Sequence, residues 1–199
     1  MRPHRPPARP PARTPPTRPA PPPPSAVWPF RPSAPPSVPG IVFVTGDGPS
    51  FEADAADVAA LWRAAAPVPG VRGDDPARVA LALTGTFAVV AAYVEEEEEE
   101  AAGEGGRTLV GVARVLSDGQ YAGLLSDVAV APSARRRGIG RALVARAAAE
   151  ARARGTSSVV AFVPPGRARL FFQRCAFRVS AAYRVLRYEG KGGEWESLR

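Results

Sequence analysis

The stretch VAVAPSARRRGIGRALVARAAAEARARG, residues 128–155, decides how the rest of the chain is read. A β-branched run closes at Pro132, three arginines follow, then Gly138-Ile139-Gly140, and then a long alanine-rich segment. Residues 139–154 are expected to form a helix ending at Gly155, with Ile139, Leu143, Ala147 and Ala151 four apart on one face. That face is narrow enough to lie close against a sheet. The head of the helix suits an anion. First-turn N–H groups lack partners within a helix, and the aligned peptide dipoles add about half a positive charge there. Gly138 and Gly140 carry no Cβ, so a ligand can approach the main chain. Arg135, Arg136, Arg137 and Arg141 bring full charges to the same point. Charge-assisted hydrogen bonds of roughly 1.5–3 kcal/mol each would hold a phosphate or pyrophosphate. Strand, arginine loop, glycines and helix together read as a phosphate cradle.

Other anion-binding patterns fit these residues poorly. A P-loop needs GxxxxGK[ST], and no lysine is present here. A dinucleotide fingerprint needs a third glycine where Leu143 stands and a strand–helix–strand unit opening the domain. RNA binding would want stacking aromatics, and none occurs between Tyr121 and Phe162. A basic helix cap that merely faces solvent is the plain alternative.

Working outward, the flanking segments predict an α+β domain with a mixed sheet in the centre. IVFV (41–44) is expected as a strand, and Ser50-Phe-Glu-Ala-Asp opens a helix running to about Ala66 with Val58, Leu61, Trp62 and Ala65 at helical spacing. PVPGVRGDDP (67–76) is a loop and ARVALAL (77–83) a short helix. TFAVVAAYV (86–94) is a strand, and RTLVGVARVLSDGQYAGLLSDVAVAP (107–132) holds two more with Ser117-Asp118-Gly119 at the turn. Beyond the central helix come a strand at 157–163, a helix at 166–177 and a final strand at 183–189. EEEEEEAAGEGG (95–106) reads as a solvated insertion in a hairpin, with an acidic lip that attracts cations as its rival.

Composition sets bounds. Of 24 prolines, 17 fall in residues 1–46, which hold six arginines and no acid. That segment carries +6 of the net +7, so the folded part is nearly neutral and its charge is no argument for nucleic-acid binding. Residues 1–40 are expected as a disordered Pro/Arg-rich tail, because they bury too little apolar surface to offset ordering. A plastid or mitochondrial transit peptide, a plain solvated tail and a ligand for aromatic grooves remain open for it. Residues 191–199 read as a flexible C-terminus. Cys175 is the only cysteine and His4 the only histidine, which excludes an internal disulfide and leaves no zinc set or Ser-His pair. No apolar run approaches the roughly 20 residues that cross a bilayer. A soluble domain is expected, independent of metal, nucleic acid and membrane; oligomeric state is left open.

Arg135-x-x-Gly138-x-Gly140, following Val128-Ala129-Val130-x-Pro132, resembles the acyl-CoA signature (Q/R)xxGx(G/A) of the GNAT superfamily, the Gcn5-related N-acetyltransferases. The likeness extends over residues 41–189, within an acetyltransferase domain set at 41–190. GVARVLSDG (111–119) and LLSDVAVAP (124–132) further resemble a subgroup of bacteria and plant plastids, whose plastid members acetylate protein lysines, protein N-termini and arylalkylamines such as serotonin. The resemblance implies a GNAT-like mixed sheet flanked by helices. It implies acetyl-CoA as co-substrate, with the backbone of Val128, Ala129 and Val130 holding the pantetheine arm like an added strand. The amides from Arg136 through Gly138, Ile139 and Gly140 to Arg141 would then take the pyrophosphate. Helix 166–177 would pack along the other side of the thioester, where strands near 128 and 161 splay.

Two departures stand out. LFFQRCAF (170–177) places Phe172 against the thioester where the family has a proton-donating tyrosine, and Ala176 where it has glycine. Water or another group such as Tyr183 would protonate the leaving thiolate, or it leaves unaided. An asparagine common ahead of this helix is missing from VPPGRAR (163–169). For the amine's proton, Asp127 is the candidate base, as the only carboxylate from residue 119 to 149. Alternation gives its side chain the face opposite Val128 and Ser126, and a structural hydrogen bond to a neighbour competes for it. The expected activity is N-acetyl transfer from acetyl-CoA to a primary amine, which is a protein lysine, an N-terminus or an arylalkylamine. The alternative is a CoA-binding regulatory protein with little or no catalysis. The expected location is the plastid, with cytoplasm or mitochondrion as alternatives.

Overall fold

The computed structural model describes residues 34–48, 51, 53–65, 75–95, 106–164 and 166–179. Expectations for the tail up to residue 33, most of the 67–76 loop, the glutamate run past Glu95, the 183–189 strand and the C-terminus lie outside them.

In chain order the elements are β1 (Val42–Gly46), α1 (Ala55–Ala64), α2 (Pro76–Thr84), β2 (Ala88–Glu95), β3 (Arg107–Ser117), β4 (Ala122–Val130), a 3-10 turn at Pro132–Ala134, α3 (Ile139–Ala153), β5 (Ser158–Ala161) and α4 (Arg167–Arg174). The sheet runs β1-β2-β3-β4-β5, antiparallel throughout except for β4 and β5, which are parallel. This is the mixed, helix-flanked α+β sheet expected from the sequence.

Both faces of the sheet are covered. On one lies α3, whose Ile139, Leu143, Ala147 and Ala151 are buried against Val90, Val110, Ala113, Val115 and Leu125. On the other lie α1 and α2, where Val58, Leu61, Trp62, Val79 and Leu83 meet Val89, Val112 and Ala129. Residues 88–92 of β2 are therefore fully buried, as an uninterrupted apolar run requires. Gly111 lets α3 come close: a Cβ there would sit 2.9 Å from Leu143 Cδ1 and 3.2 Å from Ile139 Cγ2.

Helix boundaries follow local capping. α1 begins at Ala55, five residues after the Ser50 start expected from sequence, because the Asp54 carboxylate accepts the Ala56 N–H at 2.8 Å. α2 starts the same way, with Asp75 accepting from Ala77 and Arg78 ahead of Pro76. α3 closes at Gly155 with φ 104°, Thr156 N–H reaching back to Ala151 O. α4 stops at Arg174, three residues short of the expected end, in the same motif: Phe177 N–H donates to Phe172 O and Ala176 N–H to Gln173 O. Here the left-handed position is Ala176, with φ 66°. An alanine there costs about 1 kcal/mol or more that glycine would avoid. β5 is shorter than expected: the chain leaves the sheet after Ala161, and Phe162 is 65 % exposed on the way to Pro164.

Packing also reaches N-terminal to the first strand. Val38 is 8 % exposed and joins the α3-side core, although the sequence places it in the tail.

Candidate functional site

Pairing between β4 and β5 covers only Ala122–Leu125 against Ser158–Ala161. Among the described residues, β4 from Ser126 to Val130 pairs on its β3 side only, and β4 and β5 part near the positions that the family resemblance implies. The head of α3 stands at the end of this split. Val130 leads through Ala131 and the 3-10 turn into the arginines, and the Ala131 N–H donates to Val110 O at 2.9 Å.

Gly138 is the N-cap of α3, in the left-handed region with φ 89°, and supplies no side-chain acceptor to the first-turn amides. A Cβ on it would approach only Val38 within 4 Å, so the approach is open. A Cβ on Gly140 would lie 3.3 Å from the Phe171 ring and 3.5 Å from Val130 Cγ2. Gly140 thus brings α3, α4 and the end of β4 together at the split. Ile139 is buried, so only its backbone can serve a ligand.

The arginines divide by what they already hold. Arg135 donates from Nε to Val130 O at 3.2 Å and from Nη2 to Ala65 O at 2.6 Å, tying the end of α1 to the end of β4. Arg137 donates to Pro39 O at 3.4 Å. Arg136 adopts φ 66°, and neither it nor Arg141 makes an ion pair among the described residues. All four are exposed. The head of α3 offers what a diphosphate needs: exposed guanidinium groups, main-chain amides and, among the described residues, no side chain closer to the Gly138 cap than Val38.

Along α4, Phe172 packs edge-on between Phe171 and Phe177, with ring centroids 5.2 and 5.4 Å apart. Its ring is part of the aromatic packing and has no proton to give. Cys175 ends the helix. Burial pushes its thiol up to about 11 from 9.0, with the Arg141 guanidinium acting weakly the other way. At pH 8 the thiolate population should then be about a hundredfold below that of an ordinary thiol. Iodoacetamide should accordingly label native protein slowly at pH 8, the rate climbing until pH nears 11, and Cys175→Ala should keep activity. Fast labelling that tracks inactivation would instead mark Cys175 as an acyl carrier.

Asp127 occupies a β-bulge. Val112 pairs with Ala129 and Arg114 with Ser126, so Asp127 and Val128 together face Ala113, and Asp127 has φ 51°. Leu125 and Ala129, four apart and due on one face of a regular strand, belong to opposite cores. The alternation expected around Asp127 holds toward Val128, which packs on the α3 side while the carboxylate reaches Arg114 on the α1–α2 side, and breaks toward Ser126, which pairs with Arg114. The Asp127 side chain, 4 % exposed, accepts from Arg114 Nε. A carboxylate so covered offers almost no surface to a substrate. The buried ion pair was not legible in sequence, because Arg114 and Asp127 are brought together only by hairpin register and the bulge.

The mixed sheet, five-stranded among the described residues and flanked by helices, has the architecture of a GNAT-like fold. The chain belongs to the acetyltransferase (GNAT) family, whose model matches residues 62–177. Members of that family use acetyl-CoA. Among solved structures, the chain is similar to a GNAT-family acetyltransferase from Streptococcus pneumoniae TIGR4, with 17 % identity, TM-score 0.56 and coverage of 76 % of this chain and 99 % of that one. A putative acetyltransferase of the GNAT family from Xanthomonas campestris is similar at 20 % identity and TM-score 0.54, covering 76 % and 95 %. AAC(6')-Iy, in complex with a CoA-containing bisubstrate analogue, is similar at 15 % identity and TM-score 0.55, covering 76 % and 99 %. These likenesses are of fold. Among curated proteins none matches the chain significantly in sequence. Among the described residues no cluster of His, Cys, Asp and Glu could hold a metal, and no helix is long and apolar enough to cross a membrane.

Proposed function

We propose that this protein transfers an acetyl group from acetyl-CoA directly to a primary amine: a protein lysine or N-terminus first, an arylalkylamine second. The observation that carries the reading is the opening of β4 from β5 beside the exposed arginines and glycine cap of α3. In this reading the pyrophosphate lies on the amides and guanidinium groups of residues 136–141, and the pantetheine arm runs along Val128–Val130. Phe172 borders the thioester from α4.

The amine nitrogen attacks the thioester carbonyl, a C–N bond forms, and the C–S bond breaks to release CoA. A backbone N–H near Val128 or Val130 steadies the oxyanion between the two events. A lysine-like amine with pKa about 10.4 costs roughly 3 kcal/mol to deprotonate at pH 8. Its proton leaves through water, since the Asp127 carboxylate is covered and held by Arg114. The released thiolate takes a proton from solvent, Phe172 having none to offer. The Pro/Arg-rich, acid-free tail supports plastid import; sequencing the mature N-terminus from cells tests this, and a start shortly before the buried Val38 is the expected result.

The test of the activity is thiol release from acetyl-CoA over a panel of lysine peptides, N-terminal peptides and aromatic amines. Amine-dependent release is expected. CoA binding without any amine-dependent release would instead favour a CoA-binding regulatory protein, the second reading, which the absence of a hydroxyl at Phe172 supports.

A further inference from the structure

Arg114 sits where four elements meet. Its Nε donates to the Asp127 carboxylate on β4. Its Nη1 donates to Ala82 O in α2 at 2.7 Å and to Thr86 Oγ1 beyond α2 at 3.2 Å. Its guanidinium lies 5.6 Å from the ring centre of Trp62, on α1. The side chains of Arg114 and Asp127 are 14 % and 4 % exposed. Burying two charges costs several kcal/mol per ion before pairing recovers it, and an apolar pair of equal volume is often as stable. The pair therefore contributes geometry more than stability. What it holds is a residue in the left-handed region at the one point where β4 breaks alternation.

We infer that Arg114 is a positioning residue: through Asp127 it fixes the bulge of β4, and with it the face on which Val128, Ala129 and Val130 present themselves to the thioester arm. This rests on the proposed function above. Without the bulge the strand returns to regular register, and a one-residue slip exchanges the two faces of every residue beyond it. Val128 and Val130 now pack toward α3 while Ala129 packs toward α1 and α2; the slip would reverse them. The arginine fork also couples the bulge to α1 and α2, which a lysine could not do from one nitrogen.

The decisive protein is the double variant Arg114→Met/Asp127→Asn, which removes both charges and leaves neither buried alone. Arg114→Lys is its conservative companion. Calorimetric titration with CoA, steady-state kinetics and amide exchange over residues 126–130 are measured on the folded proteins. The expected result is CoA affinity lower by about tenfold, equivalent to roughly 1.4 kcal/mol, with the acetyl-CoA KM raised in step. Exchange at 126–130 should accelerate, the shape of the pH profile should not change, and Arg114→Lys should fall between the two. A folded double variant with wild-type CoA affinity and wild-type exchange overturns the inference, as does a change confined to thermal stability. Loss of the acidic limb of the pH profile in Asp127→Asn, with CoA affinity intact, also overturns it and restores Asp127 as a base. Wild-type protein that does not bind CoA would overturn the functional reading instead, while exchange at 126–130 would still report on the bulge.

Discussion

Arg136→Glu/Arg137→Glu is expected to weaken CoA binding by about a thousandfold. Each arginine offers a charge-assisted hydrogen bond of roughly 1.5–3 kcal/mol to a diphosphate, and each glutamate replaces attraction with repulsion. Two such changes at one helix head amount to at least about 4 kcal/mol. Folding should be little affected, since Arg136 makes no ion pair among the described residues and Arg137 gives up only a 3.4 Å bond to Pro39 O. Arg135 is best left in place, because it joins the ends of α1 and β4. Arg78→Glu, exposed on α2, is the control and should bind CoA normally. Calorimetric titration at low salt reads the effect, and wild-type affinity should itself fall as salt screens the site. Unaltered affinity in the double reversal would remove the diphosphate from the head of α3.

The second large effect is on stability. Leu143→Ala should destabilise the fold by about 3 kcal/mol, within the range for buried leucines, through lost burial and the cavity left behind. Leu143 is fully buried, and its Cδ1 lies where a Cβ on Gly111 would come within 2.9 Å. Gly111→Ala should by itself cost about 1–3 kcal/mol through overpacking, since the added methyl would have to displace the buried side chains of Leu143 and Ile139. Combined, the two should cost less than their sum, because the added methyl enters the space that the leucine vacates. Leu81→Ala, at a position 75 % exposed, should change stability by less than about 0.5 kcal/mol. Urea unfolding of the four variants checks all of these. Strict additivity would mean that α3 does not press on Gly111.

Much of this architecture can be read in the chain because its signals are local. The period of Ile139, Leu143, Ala147 and Ala151 marks α3 and its buried face, and Gly155 ends it. The Asp118-Gly119 turn marks the β3–β4 hairpin: Asp118 accepts the Gln120 and Tyr121 N–H groups, which hold its carboxyl below the usual range. Where competing local signals exist, the reading slips. Ser50 reads as the start of the first helix in sequence, whereas α1 as folded begins at Ala55 with Asp54 as its cap.

What the sequence by itself determined is the α+β class, the elements found among the described residues and a helix that opens on exposed arginines and glycines, since helical period and turn chemistry act over a few neighbouring residues. What only the tertiary structure decided is the bulge at Asp127, its pairing with Arg114 and the burial of Val38. Each of these depends on strand register and on close approach between segments far apart in the chain. One inserted residue in a ladder exchanges its two faces, and no local pattern of side chains records where that insertion falls.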